Sequence, residues 1–166
     1  MKLWGPFSLL GLACAAATAA ADQVLKVWMI GVFDAEKTQK ITLAPFFDLT
    51  LVWNRGISYG LFKQDSDAGR WALIAFSFAA IVALAYWLAH LRAALPAAGV
   101  GLIIGGALGN AIDRIHYHAV ADFFSFHVAG FNWYVFNLAD AAIVTGVAVL
   151  IYDSLVPSHK SAGNHA

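Results

Sequence analysis

Apolar residues fall in four long runs, and the breaks between them carry most of the charge. The first run covers Leu3–Ala21 and extends towards Met29. The second is Trp71–Ala89, the third Ala93–Ile112, and the fourth about Asn132–Tyr152, interrupted by Asn137 and Asp140. Each is near the ~20 residues with which a helix crosses about 30 Å of hydrocarbon. A backbone in lipid must satisfy its own hydrogen bonds, so helix is the default. The pattern predicts an all-α membrane protein with helices over about 7–29, 71–90, 94–115 and 133–153. These form one membrane domain over 1–156, with a disordered tail over 157–166.

The connection over about 32–69 has its own pattern. Ile41–Val52 is rich in β-formers with Pro45 inside, Asn54-Arg55-Gly56 is a turn signal, and Ile57–Phe62 alternates. A small sheet or hairpin lying on the bilayer is expected, followed by a polar turn over Gln64–Gly69. The first run also reads as a signal peptide, with Lys2, an apolar core and small residues before Asp22. Three further spans, and Asp22 and Lys26 continuing one helix face at i, i+4, favour a retained helix.

If the helices alternate in direction, the polar residues converge. Asp22 and Lys26 lie near the end of the first helix, and Arg70 opens the second. Asn110, Asp113 and Arg114 close the third, and Asn137 and Asp140 open the fourth. The loops holding Asn54 and Asp122 share that side. An ionisable group at a helix centre costs roughly 2.5–3.5 kcal/mol on insertion scales, so Asp140 marks a functional site by default. Asp122 supplies a second carboxylate, and two carboxylates suffice for acid/base hydrolysis without a metal.

Composition agrees with a membrane protein. The chain has 166 residues, 61% apolar and only 12% charged, about half the usual charged fraction. Its mean hydropathy is +0.70. A net charge of zero gives no electrostatic case for nucleic acid. Cys14 is the only cysteine, which excludes an internal disulfide and a cysteine-based zinc site. Counting Lys and Arg by side favours a cytoplasmic site, but the long first loop weakens that rule, and orientation stays open on charge alone.

Several local patterns have two readings. Gly101, Gly105 and Gly109 form a small-residue stripe for close helix packing. Arg114 could pair with Asp113 as a helix-end contact or tether a site group. Asn137 and Asp140 share a face at i, i+3, as a site pair or as a polar helix contact. His116, His118 and His127 with Asp122 could bind zinc, although no His-Glu-X-X-His is present; interfacial histidines are the preferred reading. Trp53, Tyr59, Trp71, Trp133 and Tyr134 read as belt residues.

Five blocks occur in order: Asp22-Gln23-X-X-Lys26, Asn54-X-Gly56, Gly105-Gly106-Ala107-Leu108-Gly109-Asn110-X-X-Asp113-Arg114, Val120-X-Asp122-Phe123 and Phe136-Asn137-Leu138-Ala139-Asp140. Together they resemble the lipoprotein signal peptidases, or signal peptidase II, from the first helix to the fourth. The resemblance implies a bacterial inner-membrane aspartic endopeptidase. It implies four helices, a small extracytoplasmic β-sheet, a short periplasmic helix and both termini cytoplasmic. By motif the catalytic aspartates fall on Asp122 and Asp140. Asp22, Lys26, Asn54, Gly56, Asn110, Asp113, Arg114, Asn137 and Ala139 fall on supporting positions. No metal or cofactor is implied. The implied partners are a lipid-modified prolipoprotein, cut just before its lipid-bearing cysteine, and membrane lipids, with the enzyme acting as a monomer. The implied orientation puts the site on the periplasmic side, against the charge count. Arg55, Ile57, Ser58 and Tyr59 depart from the commoner residues after Asn54, which bears on loop packing and substrate preference.

Two other classes fit parts of the pattern. A proton-coupled carrier would use Asp140 and Asp22 as relays. A metal-dependent membrane hydrolase would use the histidines. The carrier needs a polar path through the half of the bundle around Arg92, which has almost no polar residues. The metal enzyme would be sensitive to a chelator.

Overall fold

In a computed structural model, residues 4–38, 40–56, 67–128 and 130–156 are described. Four helices among them are long and apolar enough to cross a membrane. They are α1 (Ser8–Glu36), α2 (Asp67–Leu88), α3 (Ala94–His116) and α4 (Leu138–Leu155). The strands are β1 (Lys40–Ala44), β2 (Phe47–Asn54), β3 (Val120–Val128) and β4 (Phe131–Asn132), ordered β1-β2-β3-β4 in an antiparallel sheet.

Helix α3 is the centre of the bundle, with α1, α2 and α4 packed on it. Its glycines explain why. A Cβ at Gly101 would meet the Gly11 carbonyl, and one at Gly105 the Ala15 carbonyl, both on α1. A Cβ at Gly106 would meet the Ala139 carbonyl on α4. The stripe thus lets α1 approach closely, as small-residue stripes do in lipid, and Gly106 does the same for α4. Ala15, Leu88, Ala97, Val100 and Ile104 form the buried apolar core of the bundle.

The elements differ from the hydrophobic pattern at their ends. Helix α1 continues seven residues past Met29, because Met29 and Phe33 pack under Ala121 and Phe123 of β3. Lys37, in the left-handed region at φ 47°, ends it. Helix α2 starts at Asp67 rather than Trp71, with Arg70 Nη2 3.2 Å from Asp67 Oδ1 in its first turn. Helix α4 starts at Leu138, because Asn137 and Asp140 form a reciprocal capping box there. Residues 131–136, expected in part to be helical, run beside β3 instead, and Phe136 pairs with Phe124.

The sheet also differs from expectation. The hairpin turn lies at Pro45–Phe46, between β1 and β2, where proline's fixed φ suits a turn. Asn54-Arg55-Gly56 instead makes a local turn in which Gly56 N–H donates to Asn54 Oδ1 at 2.9 Å. Asp122, expected in a loop, is on the nine-residue strand β3. Asp48 is buried between Lys40 (2.6 Å) and His127 (3.3 Å), and the Lys40 ammonium holds its carboxyl below the usual carboxylate range. Ile57–Phe62 and the tail from Pro157 lie outside the described residues. The short periplasmic helix has no counterpart among the described residues.

Candidate active site

The head of α4 organises the site. Asn137 is fully buried and sits outside the helix proper, with extended backbone. Its side-chain oxygen accepts from Asp140 N–H at 3.0 Å, and its own N–H donates to Asp140 Oδ2 at 3.4 Å. Its Nδ2 then points across to β3 and donates to Asp122 Oδ1 at 2.6 Å. A helix cap thereby links the two aspartates of different elements.

Two more asparagines complete the arrangement. Asn54, the last residue of β2, donates to Asp122 Oδ2 at 3.1 Å. Asn110 of α3 donates to Asp140 Oδ1 at 2.8 Å, while its Oδ1 accepts from Asn137 (3.2 Å) and Lys26 (3.1 Å). Each carboxylate is therefore held by amide donors from other elements. Asp122 is buried, and its carboxyl is pushed up to about 7. Burial is the main cause and the charge of Asp140 the second; the donors Asn54 and Asn137 and the charge of Lys26 oppose them. A proton on Asp122 near neutral pH is the consequence.

Behind the pair lies a buried charge cluster. Lys26 Nζ is 2.8 Å from Asp22 Oδ2 and 2.7 Å from Asp113 Oδ2, with all three side chains buried. Asp22 Oδ1 accepts from the Ala139 N–H at 2.9 Å, and Asp113 Oδ2 from the Ala121 N–H at 3.1 Å. The cluster thus grips the backbone one residue before each site aspartate. A Cβ at Gly109 would collide with the Asp22 carboxylate, so glycine is what lets α1 seat there.

Arg114 resolves one of the open sequence readings. It does not turn to Asp113, whose carboxylate is used by Lys26, Gln23 and Ala121. Its Nη2 donates to the Gly56 carbonyl at 2.8 Å and its Nη1 to the Asn110 carbonyl at 3.2 Å. It ties the turn after β2 to the end of α3. Gly56, Asn54, Asn110, Arg114 and Asp140 then border one cavity of about 380 Å³. Its far wall is apolar: Leu73, Phe76 and Ala80 of α2 face Ile143 and Val144 of α4.

Of the sequence-predicted site residues, Asn54, Gly56, Asn110, Arg114 and Asp140 line the cavity, while Asp122, Asn137, Asp22, Lys26, Asp113 and Ala139 are buried behind it. Gln23 was missed: its Nε2 reaches Asp113 Oδ1 (2.9 Å), the Gly109 carbonyl (3.1 Å) and Asp22 Oδ2 (3.3 Å). Its place beside Asp22 in the first block was the available signal. The histidines are not gathered. His127 contacts Asp48, and His116 packs on Tyr117. Among the described residues no three His, Cys, Asp or Glu side chains are grouped to hold a metal. Tyr134, expected only in an aromatic belt, borders the cavity.

The family model of signal peptidase (SPase) II matches residues 14–156. The chain belongs to the signal peptidase II family. The lipoprotein signal peptidase of Methylorubrum extorquens (strain PA1) is 52% identical over 151 residues, covering 91% of this chain and 88% of that protein. That of Methylocella silvestris is 53% identical over 155 residues, covering 93% and 90%. A solved bacterial membrane enzyme shares the fold with a TM-score of 0.74 at 22% identity, over 95% of this chain and 94% of that one. Within the signal peptidase II family, then, this chain builds its polar site where three helices meet a small sheet.

Proposed function

We propose that Asp122 and Asp140 are the catalytic pair of a membrane aspartic endopeptidase that removes signal peptides from prolipoproteins. It cuts the peptide bond N-terminal to the diacylglyceryl-modified cysteine. The supporting observation is the asparagine bridge: Asn137 donates to Asp122 while its oxygen and backbone bind Asp140.

The pair works with one proton, because two carboxylates sharing a site do not both ionise readily. Asp122 carries that proton near neutral pH and donates it to the scissile carbonyl oxygen. Asp140 takes a proton from water as the water oxygen attacks the carbonyl carbon. The tetrahedral intermediate collapses as Asp140 returns its proton to the leaving nitrogen and the C–N bond breaks. Asp122 recovers its own proton as the new carboxyl forms. The cysteine leaves with a free amine and its lipid intact.

Asn54, Asn110, Arg114 and Asn137 keep the pair oriented and leave the cavity's polar end for the peptide. The apolar wall between α2 and α4 suits acyl chains that arrive sideways from the bilayer. The site faces the periplasm of a bacterial inner membrane, with both termini cytoplasmic, and the protein acts as a monomer.

The test is cleavage of a diacylglyceryl-modified precursor by purified protein. Asp122→Asn and Asp140→Asn should each lower the rate roughly a thousandfold or more, with the protein still folded in detergent. A chelator should leave the wild-type rate unchanged. Full activity in either variant rules the pair out.

A further inference from the structure

A second pocket lies on the sheet, away from the aspartates. Phe46, Phe126, Val128, Phe131, Trp133 and Phe136 border about 480 Å³, with His127 the only polar contributor among the described residues. His127 is already engaged by Asp48 at 3.3 Å. Phe126, Phe131 and Trp133 are between 41% and 60% exposed, so their rings offer surface rather than fill a core.

Register joins this pocket to the active site. Between Leu49↔Phe124 and Val52↔Asp122 the extra residue is on β2, so β3 keeps its alternation. Asp122, Phe124, Phe126 and Val128 therefore share one face of β3. The opposite face, Ala121 and Phe123, is closed by Met29 and Phe33. Phe124 and Phe126 both pack on Phe136, at 5.7 and 5.9 Å between ring centroids. Phe136 immediately precedes Asn137, and its backbone is bonded to Phe123 and Phe124. From Asp122 to Phe126 is four residues of strand, about 13 Å.

The geometry points to a second substrate-binding site here, which takes an apolar or aromatic side chain four to six residues beyond the scissile bond. It rests on the endopeptidase reading of the aspartate pair. The signal segment is apolar and stays in the bilayer. The sheet sits over the last turns of α1, so the part of the substrate that can follow β3 away from the pair is the segment after the lipid-bearing cysteine. An extended chain leaving the pair reaches Phe126 in about four residues at strand spacing. The pocket's aromatic lining selects an apolar side chain, not a charged one.

Two lipid-modified precursors that differ only at the fifth residue past the scissile bond, phenylalanine against serine, test this. Wild-type kcat/KM should favour phenylalanine by about tenfold, the scale of discrimination by an apolar pocket. Phe126→Ser and Trp133→Ala should each bring that ratio to about one. Equal wild-type rates on precursors varied at the fourth, fifth and sixth residues overturn the proposal. So does an equal slowing of both precursors by the variants with the ratio kept, which would make the aromatics a bilayer anchor. A benzophenone side chain at the fifth residue, irradiated with the Asp122→Asn protein, reads the pocket without turnover. Adducts are expected at Phe46 or within residues 126–136; adducts confined to other segments overturn the proposal. Failure of the endopeptidase reading would appear separately, as no cleavage of any lipid-modified precursor by the wild-type protein.

Discussion

Asp122 ties activity and stability to pH in one direction. Its carboxyl titrates near 3.8 in the unfolded chain and at about 7 in the folded protein, because burial and the Asp140 charge disfavour the anion. Between those values the folded state holds a proton that the unfolded chain has lost. Folding stability from this group therefore falls as pH rises through about 4 to 7, and the loss is complete above. The thermal midpoint in detergent should decline over that window. On the proposed mechanism cleavage uses the singly protonated pair, so kcat/KM should fall on the alkaline side with an apparent midpoint near 7, a value that belongs to the pair. A rate flat from pH 6 to 9 would contradict this. At Arg114 the demand is geometric. Its two nitrogens reach two carbonyls on different segments, Gly56 and Asn110. Lysine keeps the charge and loses the fork. Arg114→Lys should lower kcat/KM roughly tenfold to a hundredfold, the scale of a misplaced site, with little change in thermal midpoint. Normal cleavage by both Arg114→Lys and Arg114→Ala would make Arg114 a helix-end residue only.

Among the elements, α3 decides the assembly. Gly109→Ala places a methyl against the Asp22 carboxylate, which also holds the Ala139 N–H. Overpacking of this kind costs about 1–3 kcal/mol, so the thermal midpoint and the cleavage rate should fall together. Gly31→Ala is the matching control: nothing lies within 4 Å of its Cβ position, and alanine improves helix propensity by about 1 kcal/mol. Equal behaviour of the two variants would refute the close-packing role of Gly109. The spans themselves were legible because lipid leaves the backbone one solution, and the carboxylates because their placement beside apolar runs is costly. The partners of Asp22 and Asp113 were not, since both use backbone N–H groups, of Ala139 and Ala121, that leave no mark in residue identity. Strand β3 was hidden for a different reason. Its partner β2 lies some seventy residues earlier, so no local pattern announces the pairing.

The whole molecule is a bundle with a polar end and an apolar flank, and the cavity spans both. Its walls on α2 and α4 carry Leu73, Phe76, Ile143 and Val144, while Asn110, Arg114 and Asp140 close the polar end. On the proposed function a substrate with acyl chains would use both parts at once, each buried CH₂ contributing about 0.8 kcal/mol. Cleavage of one precursor with and without its diacylglyceryl group, in the same detergent, should differ by at least a hundredfold in kcat/KM. Equal rates would make this a general membrane protease. The bond from Ala139 N–H to Asp22 joins the last helix to the first, and Asp140 and Asn137 stand at the head of that last helix. A ribosome threading the chain into the membrane delivers α4 after α1, α2 and α3. Until then Asp122 has its Asn54 donor but neither Asn137 nor Asp140, and the proposed pair does not exist. On the proposed mechanism, the docking of α4 is the step that arms the site, so folding itself sets when cutting can begin.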